Sequence, residues 1–349
     1  MILKKKQWIV ALIVVAVLAA LVVWGRDRIH FDFRLFLDQV SQANGALIAL
    51  GIACIYIAYG FRAVRWSYLM RHNQRVSPLS LLGSQVIGFT AVALIGRVAD
   101  PVRPFLVSKK TGSPVSAQIA VYIVERLFDF GAMALVISAV ILTSPAGSMP
   151  HPELMRKAGY GGLAATVGAG IFLVFVRLFG NVIAKVFEDL FGAISPKLGQ
   201  AAGHKIRSFH KGLDTIRSLS DFVVSLSLSL VMWALITAAY VVTLRAFTAS
   251  PELASMNLTR GIILMAISGG ASALQLPIIG WFTQIAVVAA SLSGLFGAAP
   301  EAATAAAATL LLVTFLSIIP VGLIWAQVDN ISLRSVAAES AGKNLEEEE

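Results

Sequence analysis

The chain has 349 residues, 57% of them hydrophobic and only 13% charged, with a mean hydropathy of +0.80. A soluble domain carries about a quarter charged residues, so the composition excludes a soluble enzyme and predicts an all-α, multi-spanning membrane protein. Lys and Arg number 28 against 19 Asp and Glu; the bases sit in loops beside apolar runs, a pattern for anionic lipid surfaces rather than nucleic acid.

In chain order, Lys4, Lys5 and Lys6 precede the apolar run Trp8–Trp24. That run is longer than a signal-peptide core and ends in Trp24-Gly25-Arg26 rather than a cleavage site, so it reads as an uncleaved first span with a cytoplasmic N-terminus. Gly45–Ala63, Ala117–Thr143, Gly159–Arg177, Phe222–Phe247 and Ala302–Gln327 are further full spans, each near the roughly 20 residues that cross a bilayer. Leu79–Gly96 and Gly261–Leu295 are interrupted by Gly, Ser, Thr, Gln and Pro.

Orientation decides how these two are read. Were Leu79–Gly96 to cross, the bases Arg97, Arg103, Lys109 and Lys110 would lie outside, against the positive-inside rule. A re-entrant hairpin over 79–112 removes the conflict, and 259–296 becomes a second one entering from the other side. Gly96-Arg97-Val98-Ala99-Asp100 and Gly280-Trp281-Phe282-Thr283-Gln284 each carry a Gly with an acid or amide four positions on. Together these features predict an inverted repeat. The expected organisation is one membrane domain over 1–335: a first half 1–143, a cytoplasmic amphipathic linker 178–221, and a second half 222–327. A disordered tail follows over 336–349. Both termini are expected in the cytoplasm, with the protein in the cell (inner) membrane. The small residues Gly161, Gly162, Ala165, Gly168 and Gly170 point to close helix packing.

Three constellations could carry chemistry. Glu125, Arg126 and Asp129 stand in an otherwise apolar helix. At 1.5 Å per residue Asp129 lies roughly 18 Å in from Ala117, where each ionised group costs on the order of 2.5–3.5 kcal/mol. Glu125 and Asp129 share a face, and Arg126 can pair with Asp129. The group is either a polar path through the membrane or a buried ion-pair cluster that fixes helix register. Arg97, Asp100 and Arg103, spaced three apart, would share a broad helix face where the arginines could hold a lipid phosphate bidentately; simple interfacial anchoring is the alternative. Arg62, Arg65 and Trp66 read as an interfacial belt or a headgroup site. In the second hairpin Gln275, Thr283 and Gln284 are the polar candidates, suited to hydrogen bonding rather than charge pairing. The one cysteine, Cys54, and five scattered histidines offer no disulfide framework and no metal-ligand spacing; no catalytic residue, metal or cofactor is predicted.

The stretch Gly96-Arg97-Val98-Ala99-Asp100-Pro101-Val102-Arg103-Pro104, then Gly112, then Val124-Glu125-Arg126-Leu127-Phe128-Asp129, resembles the flippase-like family related to the transmembrane domain of lysylphosphatidylglycerol synthase. That family favours Gly-Arg-x-Gly-Glu-x-x-Arg-Pro in the first piece and Glu-Arg-x-x-Asp in the second; a later Pro-Gly-Gly-x-Gly-x-x-x-Glu element is similar to Pro277–Gln284. Ala99, Asp100 and Gln284 depart from the pattern. The resemblance implies the handling of lipids, with an anionic phospholipid or polyprenyl-phosphate lipid as partner. The aminoacyltransferase activity of the fused relatives is not carried over. The expected function is translocation of such a lipid between leaflets. The alternatives are a membrane enzyme acting on headgroups or lipid-linked glycans, and an accessory subunit, alone or as a homo-oligomer, for a lipid-modifying enzyme.

Overall fold

The computed structural model describes residues 31–145, 152–213, 216–273 and 279–331. The expected first span Trp8–Trp24, the C-terminal tail and Gln275 lie outside them. Among the described residues the fold is wholly helical: α1 (Phe33–Ser41), α2 (Gly45–Met70), α3 (Pro78–Ile95), α4 (Val102–Thr111), α5 (Val115–Thr143), α6 (Pro152–Gly192), α7 (Pro196–Leu213), α8 (Leu219–Arg245), the short α9 (Pro251–Ala254), α10 (Leu258–Ala273), α11 (Ile279–Phe296), α12 (Pro300–Leu311) and α13 (Ile318–Val328). Five helical stretches there are long and apolar enough to cross a membrane: α2, α3, α5, α8 and the run Pro300–Val328.

Local chemistry sets the boundaries. Asn44 caps α2 by accepting from the N–H groups of Ala46 and Leu47, and Ser218 with Asp221 forms a capping box at the start of α8. Gly96, at φ 90° and ψ −172°, adopts a conformation open to glycine and closed to most other residues, which ends α3. In the last span Pro320 has no N–H to donate and its ring crowds the carbonyl one turn back. The helix answers with a π-helical stretch, Leu312–Leu316, closed by Ser317 N–H donating to Leu312 O at 2.8 Å. The Tyr56 hydroxyl donates to Ser317 O at 2.9 Å and the Thr90 hydroxyl to Ile318 O at 3.2 Å, so carbonyls beside the irregularity keep partners.

Leu79–Gly96, the first limb of the hairpin expected over 79–112, lies in a continuous 18-residue helix. Its small and polar residues serve burial rather than breakage: 61% of α3 is buried inside the protein, against 28–33% for the other four spanning stretches. Gly322 of α13 lies so close that a Cβ there would meet Thr90 Oγ1 at 1.9 Å, so α3 is clasped between neighbours. The break comes after it, at Gly96.

From that break the chain turns through a 3-10 turn at Arg97–Ala99 and comes back along α3 as α4. Gln74 Nε2 donates to Thr111 O at 2.9 Å, so the end of α4 stands beside the start of α3. In the second hairpin Gln284 Nε2 donates to Ser268 Oγ at 3.1 Å across α10 and α11, and Arg260 at its base lies 5.9 Å from the Phe296 ring at its exit. The bases of the two hairpins lie at opposite ends of α5, whose 29 residues span about 43 Å: Gln118 near its start bonds Ser113, and Ser144 just past its end bonds Thr259. Between these ends, Ser272 and Trp281 of the second hairpin reach the first. Arg97 donates to Ser272 O and Oγ at 3.1 and 3.0 Å, and Trp281 Nε1 donates to Ala93 O at 3.2 Å.

The expected span Gly159–Arg177 lies within the 41-residue α6. Its glycines divide. A Cβ on Gly159 or Gly162 would press on Ile141 or Ser138 of α5, as close packing requires, whereas Gly161, Gly168 and Gly170 meet nothing within 4 Å.

Candidate functional site

Three helices bring ionised side chains to one place inside the protein. α2 supplies Arg62 and Arg65, α4 supplies Arg103, and α5 supplies Glu125, Arg126 and Asp129. Glu125 Oε1 lies 3.1 Å from Arg62 Nη1 and 3.0 Å from Arg65 Nη2, while its Oε2 lies 2.8 Å from Arg103 Nη2. Asp129 pairs with Arg65 at 2.7 Å, with Arg62 at 3.0 Å and, more loosely, with Arg126 at 3.6 Å. Glu125, Arg65 and Arg103 are 0–1% exposed. Taking such charges out of water is tolerable only where partners surround them.

The surroundings fit that need. Arg103 donates through Nε and Nη2 to Gln85 Oε1 at 3.0 and 2.7 Å. Its guanidinium is boxed by aromatic rings, with Phe89 at 4.4 Å, Trp66 at 5.1 Å and Tyr122 at 5.6 Å. Gly88 makes room for its stem, since a Cβ there would stand 2.1 Å from Arg103 Cγ. Arg65 donates to Ser229 Oγ of α8 at 2.5 Å, tying the cluster to the second half of the chain.

The charges nonetheless do not balance. Four guanidinium groups face two carboxylates, leaving a surplus of two positive charges, with Arg62, Arg65 and Arg103 buried and Arg126 22% exposed. Among the described residues, Arg65 Nε, Arg103 Nη1 and Arg126 Nε and Nη2 find no hydrogen-bond acceptor. Unsatisfied buried donors are costly, and this set marks a place where an acceptor-rich anion gains most.

A cavity of ≈ 190 Å³ opens onto the cluster. Arg62, Arg126, Asp129 and, from the first hairpin's tip, Arg97 line one side. Trp233 and Tyr240 of α8, Ser268 and Ser272 of α10, Gln284 of α11 and Thr314 of the π stretch line the other. A larger hollow of ≈ 360 Å³ lies between Met70, Gln74, Pro114 and Gln118 at the base of the first hairpin, with no ionisable residue in its wall.

Several sequence expectations change place. Arg62, Arg65 and Trp66 do not form a surface belt: Trp66 is fully buried and donates to Gln118 Oε1 at 2.9 Å, and both arginines point inward. Arg97, Asp100 and Arg103 do not share a helix face, because Gly96 and the 3-10 turn separate them. Arg103 enters the cluster; Arg97 turns to Ser272 and the cavity, with Asp100 at 3.9 Å and outside the cluster. Lys109 and Lys110 end α4 at the surface, Lys110 lying 3.8 Å from Asp329. In the second hairpin Gln284 is buried beside the cavity, while Thr283 lies on an exposed face. Gln85, Gly88, Phe89 and Ser229 were not anticipated. Each is a polar, small or aromatic residue of an apolar run, and only their contacts with arginines far along the chain reveal them.

No individual curated protein matches the chain. A family model does: that of the lysylphosphatidylglycerol synthase transmembrane region, over residues 8–322. The all-helical, multi-pass architecture, the charged cluster between its helices and this match together place the protein in lipid biology. The chain belongs to the lysylphosphatidylglycerol synthase transmembrane-region family.

Proposed function

We propose that the protein carries an anionic lipid, a phospholipid or an isoprenoid-linked phosphate, between the leaflets of the cell membrane. In this reading the hairpins 78–111 and 258–296 re-enter the membrane from opposite faces as an inverted repeat, and both termini are cytoplasmic. The observation that carries the proposal is the surplus of two positive charges in a cluster beside a cavity lined by both hairpins. A lipid phosphate would neutralise that surplus. Arginine holds phosphate oxygens in a planar fork, and Arg62, Arg97 and Arg126 offer such forks from one side of the cavity. Apolar Ile55, Ala58, Val92 and Ile236 complete the wall, a surface along which acyl chains trail toward the bilayer.

The carboxylates keep the site from becoming a trap. Glu125 and Asp129 hold three of the arginines at 3.1 Å or less, so an arriving phosphate competes with them. Passage needs binding that is favourable yet weak enough to release. Arg126, the loosest of the four at 3.5 and 3.6 Å from the carboxylates, is the one able to swing to a headgroup. The full chain reconstituted in liposomes with a labelled anionic phospholipid should move label between leaflets, and Arg126→Gln should slow this about tenfold, the loss of roughly one charge-assisted hydrogen bond. Failure to move any anionic lipid would overturn the reading.

A further inference from the structure

Two of the four clustered arginines do not reach the cavity. Arg62 and Arg126 line it, whereas Arg65 and Arg103 stand behind the carboxylates, fully buried. Arg103 is fixed where it stands, by two bonds to Gln85 Oε1 and by the rings of Phe89, Trp66 and Tyr122. From there its Nη2 donates to both oxygens of Glu125 at 2.8 Å. A carboxylate offers about four lone-pair sites. On Glu125 they meet the two bonds from Arg103, one from Arg62 at 3.1 Å and the approach of Arg65 Nη2 at 3.0 Å. Among the described residues Arg103 is the sole partner of Oε2. Arg126, the next residue of the same helix, is left with its Nη2 at 3.5 Å from Oε1 and its side chain partly open to the cavity. Without Arg103, Oε2 becomes a bare acceptor beside a loose guanidinium. Arg126 would then close on it, since a buried carboxylate that has lost its partner is costly.

We infer that Arg103 is a positioning residue for the anion site: by occupying Glu125 from behind, it keeps Arg126 free to face a ligand that Arg103 itself never touches. The first hairpin thereby prepares the cavity wall, because Arg103 rides on α4, its returning limb, and Arg126 on α5. The inference rests on the anionic-ligand reading of the cavity. What it adds is that the arrangement of the charges, and not only their number, makes the site. Two rival accounts predict otherwise. If Arg103 only fills buried space, removing its partner Glu125 as well should compound the damage. If it only adds positive charge, its loss should weaken anion binding whether or not Arg126 is present.

The test is lipid retention by the purified full-length protein, read by native mass spectrometry as a preference for phosphatidic acid over diacylglycerol. The two probes share their acyl chains and differ in the phosphate. The native protein should prefer phosphatidic acid. Arg126→Gln should lower that preference about tenfold, the loss of roughly one charge-assisted hydrogen bond. Arg103→Gln should lower it by a similar factor, although Arg103 lies outside the cavity wall. In Arg103→Gln/Arg126→Gln the preference should stay within about twofold of Arg126→Gln alone, because substitutions that act through one group do not add. Arg103→Gln/Glu125→Gln removes the carboxylate that would capture Arg126. Three guanidinium groups then face one carboxylate, so the surplus of two charges is kept, and the preference should return to within about twofold of native. Removing both members of a buried pair is tolerated better than removing one, so this variant decides the matter even where Arg103→Gln alone fails to fold. Losses that multiply to about a hundredfold in the double arginine variant would overturn the inference. So would an unchanged preference in Arg103→Gln, or a weak one in folded Arg103→Gln/Glu125→Gln. Equal retention of the two lipids by the native protein would sink the anionic-ligand reading itself, and the role of Arg103 with it.

Discussion

The two hairpins carry different chemistry. They touch through Arg97–Ser272 and Trp281–Ala93. The first inserts a guanidinium at full burial, Arg103, with Gln85 beside it. Among the described residues of the second hairpin's two limbs, the only ionisable one is Arg260 at the base, and the buried polar groups are the neutral Ser268 and Gln284. The difference tracks packing. The charged hairpin owns the most enclosed of the spanning helices, because an ion in the membrane needs a protein sheath. Their unequal charge makes an asymmetric cavity, cationic on one side and neutral on the other.

That comparison can be broken by substitutions read as thermal stability of the purified protein. Glu125→Ala should cost most. It strips the shared partner from Arg62, Arg65 and Arg103, and breaking a buried ion pair costs about 3–5 kcal/mol; failure to fold is the expected limit. Gly88→Val should follow at about 1–3 kcal/mol, since its side chain would overlap the Arg103 stem. On the neutral side, Tyr240→Phe removes one hydrogen bond to Ser268 and should cost about 1 kcal/mol. Arg126→Gln should move stability least, within about 0.5 kcal/mol, because three arginines still face the two carboxylates and a surplus charge is gone. If Tyr240→Phe proved as damaging as Glu125→Ala, the contrast between the hairpins would be wrong.

How much of this could be read from the sequence depends on whether the signal is local. Glu125, Arg126 and Asp129 stand out because charge in an apolar helix is conspicuous, and the turn at Gly96 because a glycine beside polar residues ends an apolar run. The composition of Leu79–Gly96, by contrast, is ambiguous. Small and polar residues weaken a lipid-facing helix, yet the same residues suit a helix wrapped by protein, and α3 is the latter. Arg62 and Arg65 near the end of a span with Trp66 look like an interface. Their actual partners stand 60 to 67 positions further on, and Ser229 is 164 away from Arg65. No periodicity encodes such pairings; the packing of α2, α4, α5 and α8 creates them. The charge surplus is invisible for the same reason, since it exists only once the four arginines have been gathered.

The central claim is that the cavity between the hairpin tips is electrically positive. Gly269 lines it, is exposed, and has open space where a Cβ would stand; Cys54 is the only cysteine in the chain. Gly269→Cys in a Cys54→Ala background therefore places a single thiol at the cavity wall. Its reaction rates with thiosulfonate reagents bearing a sulfonate or a trimethylammonium group can be measured relative to those of a free thiol in solution. The account predicts that the anionic reagent is favoured, about tenfold for a local bias near 1.4 kcal/mol, and that Arg126→Gln shrinks the ratio. Equal rates, or a preference for the cation, would contradict it.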